Sequence, residues 1–109
     1  MSSNGAGQQV KFSIPDTIYI LGVLHTVEVR PFDESDADDS LAAGLYKADG
    51  REIHIDSTQP PHLYSDIFCH EVAEGINSML DLGLKHHQLT GMAVGFHDVF
   101  RNQLTEEAE

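Results

Sequence analysis

The sequence predicts an α+β domain, a small sheet followed by two helices, on three observations. Residues 17–56 contain β-branched, aromatic and alternating runs. An Asp-Gly pair, Asp49-Gly50, separates two of them. From Leu63 onward apolar residues recur at spacings of three and four. The expected order is β-β-β-β-α-α, a mostly antiparallel sheet of about four strands carrying a helical hairpin.

Each element has a local reason. Thr17-Ile18-Tyr19-Ile20-Leu21 is β-branched and aromatic, and Val23 to Arg30 alternates, with Gly22 as the turn or bulge that pairs the two runs. Leu45-Tyr46-Lys47 and Glu52-Ile53-His54-Ile55-Asp56 flank Ala48-Asp49-Gly50, a hairpin signal that turns Ile53 and Ile55 to the core. His25 and His54 read as surface or strand-face residues. Pro60-Pro61 suits a first helical turn, where a missing N–H has no partner. Ile67, Phe68, Val72, Ile76, Met79 and Leu80 then describe a helix over 63–82, with Gly83 placed to end it in a left-handed conformation. Leu89, Met92, Phe96, Val99, Phe100 and Leu104 describe a second helix beginning near His87, in which Gly91 and Gly95 would allow close packing on the first.

The chain of 109 residues is long enough for one domain with a single core. Residues 1–10 read as a disordered leader, 11–104 as the domain and 105–109 as an acidic tail. Six basic residues against 18 acidic ones give a formal charge of −12, which argues against nucleic acid as a partner. The acid is clustered: Asp33, Glu34, Asp36, Asp38 and Asp39 form one group and Glu106, Glu107 and Glu109 another. Asp36-x-Asp38 fails as a calcium loop, because Leu41 and Lys47 stand where glycine and glutamate are needed. Cys69 is the single cysteine, read as a small buried apolar residue, and it fits a reducing, cytoplasmic setting. No apolar run reaches the roughly 18 residues of a membrane span.

The chemistry gathers at Cys69-His70-Glu71-Val72-Ala73-Glu74-Gly75-Ile76-Asn77. Four helical residues advance about 400°, so His70 and Glu74 stand about 40° apart and can reach one metal ion. Glu71, rotated about 100° from His70, is placed to act on a water without ligating. This is the logic of the His-Glu-x-x-His helix with glutamate replacing the second histidine.

Together with Gly44-Leu45-Tyr46, Ile53-His54-Ile55-Asp56 and Leu82-Gly83-Leu84-Lys85-His86, this segment resembles small phage-encoded zincin-like proteins, compact relatives of the ImmA/IrrE type of metallopeptidase. The likeness covers roughly residues 18–104 and implies a minimal zincin-like fold with an active-site helix and a closing C-terminal helix. It implies His70 and Glu74 as ligands of Zn²⁺, Glu71 as general base and His86 as third ligand, with His87 and His97 as alternatives. Where related proteins carry a glutamate on the second helix, this chain has Thr90. Were the first helix to run to Leu82, Glu74 would lie about 12 Å below its end, so His86 reaches the metal only if the helix ends early or the loop dips inward. His97, eleven residues beyond His86, sits about 16 Å along the axis and cannot share the ion with it.

Two functions follow. In the first the chain is a zinc-dependent peptidase of phage type, with the strand carrying Ile53, His54 and Ile55 pairing with an extended peptide or protein substrate. In the second it is a non-catalytic acidic phage protein on a zincin-like scaffold, in the host cytoplasm, binding a basic host protein and in its sharpest form mimicking DNA. Oligomeric state is open.

Overall fold

Strands Thr17–Ile20 (β1) and Val23–Arg30 (β2) form an antiparallel hairpin in which Ile20 pairs with Val23. Leu21 and Gly22 both have positive φ, 53° and 80°, as a two-residue turn matched to strand twist requires. The computed structural model describes residues 13–33 and 43–107. The expected leader and all of the first acidic cluster except Asp33 lie outside them.

Gly44–Lys47 (β3) and Glu52–Asp56 (β4) form the second antiparallel pair, with Lys47 opposite Glu52. The connection is a four-residue loop, and its left-handed residue is Arg51 (φ 53°), not Gly50. The Asp-Gly pair therefore marks the hairpin without forming a two-residue turn.

β4 also pairs in parallel with β2, Val27 beside Ile53 and Val29 beside Ile55, giving the sheet order β1-β2-β4-β3. Two of the three pairings are antiparallel, as expected. β4 is interior and carries Ile53 and Ile55, both at 0 % exposure, which an interior strand hides best.

Tyr64–Leu80 (α1) follows a short 3-10 turn at Pro61–Leu63 and lies on one face of the sheet. Phe68, Cys69 and Val72 meet Ile20, Val27, Ile53 and Ile55 in the core. Gly75 allows the approach: a Cβ there would stand 2.8 Å from the Tyr46 ring. Burial and the charge of Asp66 push the Cys69 thiol up to about 12, so it is an inert core residue at neutral pH.

α1 ends in a Schellman motif. Asp81 takes the left-handed position (φ 52°), its N–H bonds Ser78 O, and Leu82 N–H bonds Asn77 O. Gly83, expected to end the helix, is left-handed too (φ 66°) but lies in the loop beyond.

His86–Glu107 (α2) packs against α1, burying Leu89 and Ala93, so the helical hairpin does not lie flat on the sheet. The second helix is stacked on the first. Gly91 and Gly95 serve no close contact, since a Cβ on either meets nothing within 4 Å. α2 continues through Glu107, so residues 105–107 are helical where a tail was expected. No described helix is long and apolar enough to cross a membrane.

Two histidines correct the surface reading. His25 is fully buried; its Nδ1–H donates to Val23 O (2.9 Å), leaving Nε2 to accept from the Tyr46 hydroxyl (2.9 Å). His54 is buried on the opposite sheet face, where Arg30 Nε donates to its Nδ1 (2.9 Å) and its Nε2–H donates to Glu52 (2.8 Å). That hydrogen bond holds the Glu52 carboxyl below its ordinary range. Both rings act as polar connectors between strands.

Candidate metal and hydrolytic site

The site lies between the edge strand β3 and α1, in a cleft of about 650 Å³. Gly44, Leu45 and Tyr46 form one wall, and His70, Glu71, Glu74 and Asn77 form the other, with His86 at the rim. β3 comes this close because residue 44 is glycine. A Cβ there would stand 2.7 Å from Ile67 Cγ2 and 2.8 Å from Glu71 Oε2.

His70 and Glu74 share the face that their spacing predicts, with Nε2 and Oε2 3.4 Å apart. Two ligands about 2.0–2.1 Å from a tetrahedral ion stand about 3.3 Å apart, so the pair has the spacing of co-ligands. Glu71 is only 6 % exposed. Burial pushes its carboxyl from 4.5 up to about 8, and the neighbouring Glu74 charge adds to the rise.

The chain leading to His86 departs from the expectation of a helix that runs to Leu82. The helix ends at Leu80, and the loop turns back through Asp81 and Gly83. Asn77 Oδ1 accepts the Leu84 N–H at 2.9 Å, pinning the loop to the helix that carries His70. The His86 ring centre consequently lies 5.4 Å from that of His70. Among the described residues, no three His, Cys, Asp or Glu side chains are placed to hold a metal ion together. The site consists of a two-donor pair with a third imidazole beside it. That imidazole is exposed at the start of α2. By donor type all three side chains suit zinc, and by spacing His70 and Glu74 do.

The other predicted residues lie elsewhere. His97 Nε2 is 2.8 Å from Ser65 Oγ and 3.5 Å from Asp66 Oδ1, tying α2 to the first turn of α1. His87 is exposed and outside the cleft wall. Ile53, His54 and Ile55 cannot bind a peptide strand, because β4 is paired on both sides and all three side chains are buried. The strand beside the site is β3, which among the described residues pairs only with β4.

Gly44, Tyr46 and Asn77 are the site residues that sequence reasoning missed. For Asn77 a signal existed: a polar residue on the last turn of a helix is placed to bond the loop that follows. Removing its acceptor should free His86. Asn77→Ala is expected to cost about 1 kcal/mol of stability and to weaken zinc binding about 10-fold or more, whereas Asn77→Asp keeps the acceptor. Hydrogen exchange at the Leu84 amide and zinc competition titration check this. Unchanged exchange and affinity in Asn77→Ala would remove Asn77 from the site's construction.

Comparison of the chain with protein-family models, with curated proteins and with solved structures gives no match.

Proposed function

We propose that the chain is a metal-dependent peptidase, in which His70, Glu74 and His86 hold zinc and Glu71 is the general base. The observation that carries this reading is the convergence of His70 Nε2 and Glu74 Oε2 beside a buried glutamate in one cleft. The resemblance of residues 70–77 to zincin-like proteins supports it.

The substrate is an extended peptide added to the side of β3 that pairs with no other described strand, where backbone N–H and C=O groups supply its hydrogen bonds. This moves the peptide-binding role from β4 to the outer strand. When bound, the metal supplies positive charge that polarises the scissile carbonyl and favours ionised Glu71 and deprotonated water. Glu71 takes one proton from a cleft water, whose oxygen adds to the carbonyl carbon. The C–N bond then breaks, and Glu71 returns the proton to the departing nitrogen. One water is consumed, and a carboxylate and an amine result. The glycine at position 44 leaves room for the buried Glu71 carboxylate at the cleft wall.

The test begins with metal content. Protein purified without a chelator or a histidine tag should carry near one zinc per chain, and His70→Ala and Glu74→Ala should lose it. Glu71→Gln should keep the zinc and lose about 10²–10⁴-fold in peptide hydrolysis. Wild-type protein that takes up no zinc on incubation would overturn the reading and leave the acidic binding protein in its place.

A further inference from the structure

The edge of the sheet opposite the cleft is β1. Ile20 and Val23 close the two-residue β1–β2 turn, so Ile18 and Ile20 direct their backbone N–H and C=O groups to β2. Asp16 O accepts the Val27 N–H at 2.8 Å and keeps the same alternation. Thr17 and Tyr19 therefore direct theirs outward, where β1 pairs with no other described strand. Edge strands are commonly guarded by lysine, proline or a bulge against pairing with another chain. β3, the other edge, carries Lys47, whereas β1 carries neither lysine nor proline. The eleven residues from Thr17 to Val27 include no Asp, Glu, Lys or Arg, in a chain that is 22 % charged.

This uncharged edge continues into a groove of about 460 Å³ between the hairpin and the helices. Ile18 and Leu21 line it from β1 and its turn, Val72 and Ile76 from α1, and Val99 and Phe100 from α2. Leu21 holds a left-handed position (φ 53°) that asparagine, aspartate or glycine fills with less strain, and it sets an apolar side chain at the groove. On α2 the charges on either side of Val99 pair with each other, Arg101 with Asp98 at 3.5 Å.

We propose that this edge joins two copies of the chain, β1 to β1 antiparallel about a two-fold axis at Ile18. Thr17 of each copy then stands opposite Tyr19 of the other, and their outward groups meet in four hydrogen bonds. The occupant is a second copy because the edge is complementary to itself under that axis, in register and in lack of charge. Ile18 of one copy meets Ile18 of the other on the helix side, which brings the two grooves together. Tyr19, Leu21, Leu24 and Val99 are 70, 54, 48 and 52 % exposed. With the strand edge they offer on the order of 500 Å² per copy, about 1,000 Å² in all, the lower bound of a specific interface. The dimer is therefore weak. The charge of −12 on each chain repels at long range, so salt tightens it. The pairing goes beyond the peptidase reading and does not depend on it.

Sedimentation velocity of the full chain from about 1 to about 500 µM should show a monomer–dimer equilibrium with Kd of about 10–100 µM, tighter at high salt than at low. Tyr19→Lys, a change at an exposed position, should weaken it about 10-fold or more and leave the circular dichroism spectrum unchanged. In hydrogen exchange the Thr17 and Tyr19 amides should be protected at high protein concentration and open at low. A monomer throughout the range overturns the proposal; if those amides are then protected at every concentration, residues 1–12 of the same chain cover the edge. A dimer that Tyr19→Lys leaves unchanged forms through another face and overturns it too.

Discussion

Glu71→Gln is expected to make the metal-free protein more stable than wild type above neutral pH, on the order of 5 kcal/mol at about pH 9. The Glu71 carboxyl is buried beside Gly44, and burial raises it from 4.5 to about 8 in the fold. The sign follows from proton counting. Between those two values the folded chain keeps a proton that the unfolded chain releases, so stability falls as pH rises. Below about pH 4.5 both states are protonated and the two proteins should match; above about pH 8 the loss is complete and the gap is constant. Glutamine is neutral throughout and escapes the fall. Urea unfolding from pH 4 to pH 9, with chelator present, measures it. Parallel curves for the two proteins would show Glu71 ionised in the fold and remove burial as the controlling effect. On the proposed function, the same substitution that stabilises the fold should abolish hydrolysis.

Phe68→Ala should be the most damaging single change to the fold, about 3–5 kcal/mol. Phe68 is among the largest side chains that are fully buried, and it joins α1 to Ile53 and Ile55 of the central strand. In a domain this small the total stability is of order 5–15 kcal/mol, so the variant should be partly unfolded near 37 °C. Phe68→Leu, which keeps most of the volume, should cost about half as much or less. Thermal unfolding followed by circular dichroism separates them. A Phe68→Ala protein within about 1 kcal/mol of wild type would mean that α1 does not lie on the sheet as described.

What was readable in the sequence was local. The β1–β2 turn at Gly22, the α1 periodicity from Phe68 to Ile76 and the one-turn spacing of His70 and Glu74 all depend on residues within a few positions of one another. The misreadings depend on distant partners. His54 looks like a solvent-facing strand residue until Arg30 is brought over it by the parallel pairing of β2 with β4. Gly91 and Gly95 look like packing glycines until α2 turns Leu89 and Ala93 to α1 instead.

The same division holds at the site. By itself the sequence determined the α+β class, the two helices and the placing of His70, Glu71 and Glu74 on one helix, because helical geometry places near neighbours without help from the rest of the chain. Only the tertiary structure decided that β4 is interior and that β3 is the edge strand beside those residues among the described ones, since strand order depends on which side chains most need to leave water. Tertiary structure also decided that Gly44 admits the buried Glu71, and that Asn77 folds the loop back to set His86 5.4 Å from His70. Those contacts join residues far apart in sequence, and long-range packing, unlike helical periodicity, leaves no repeating trace along the chain.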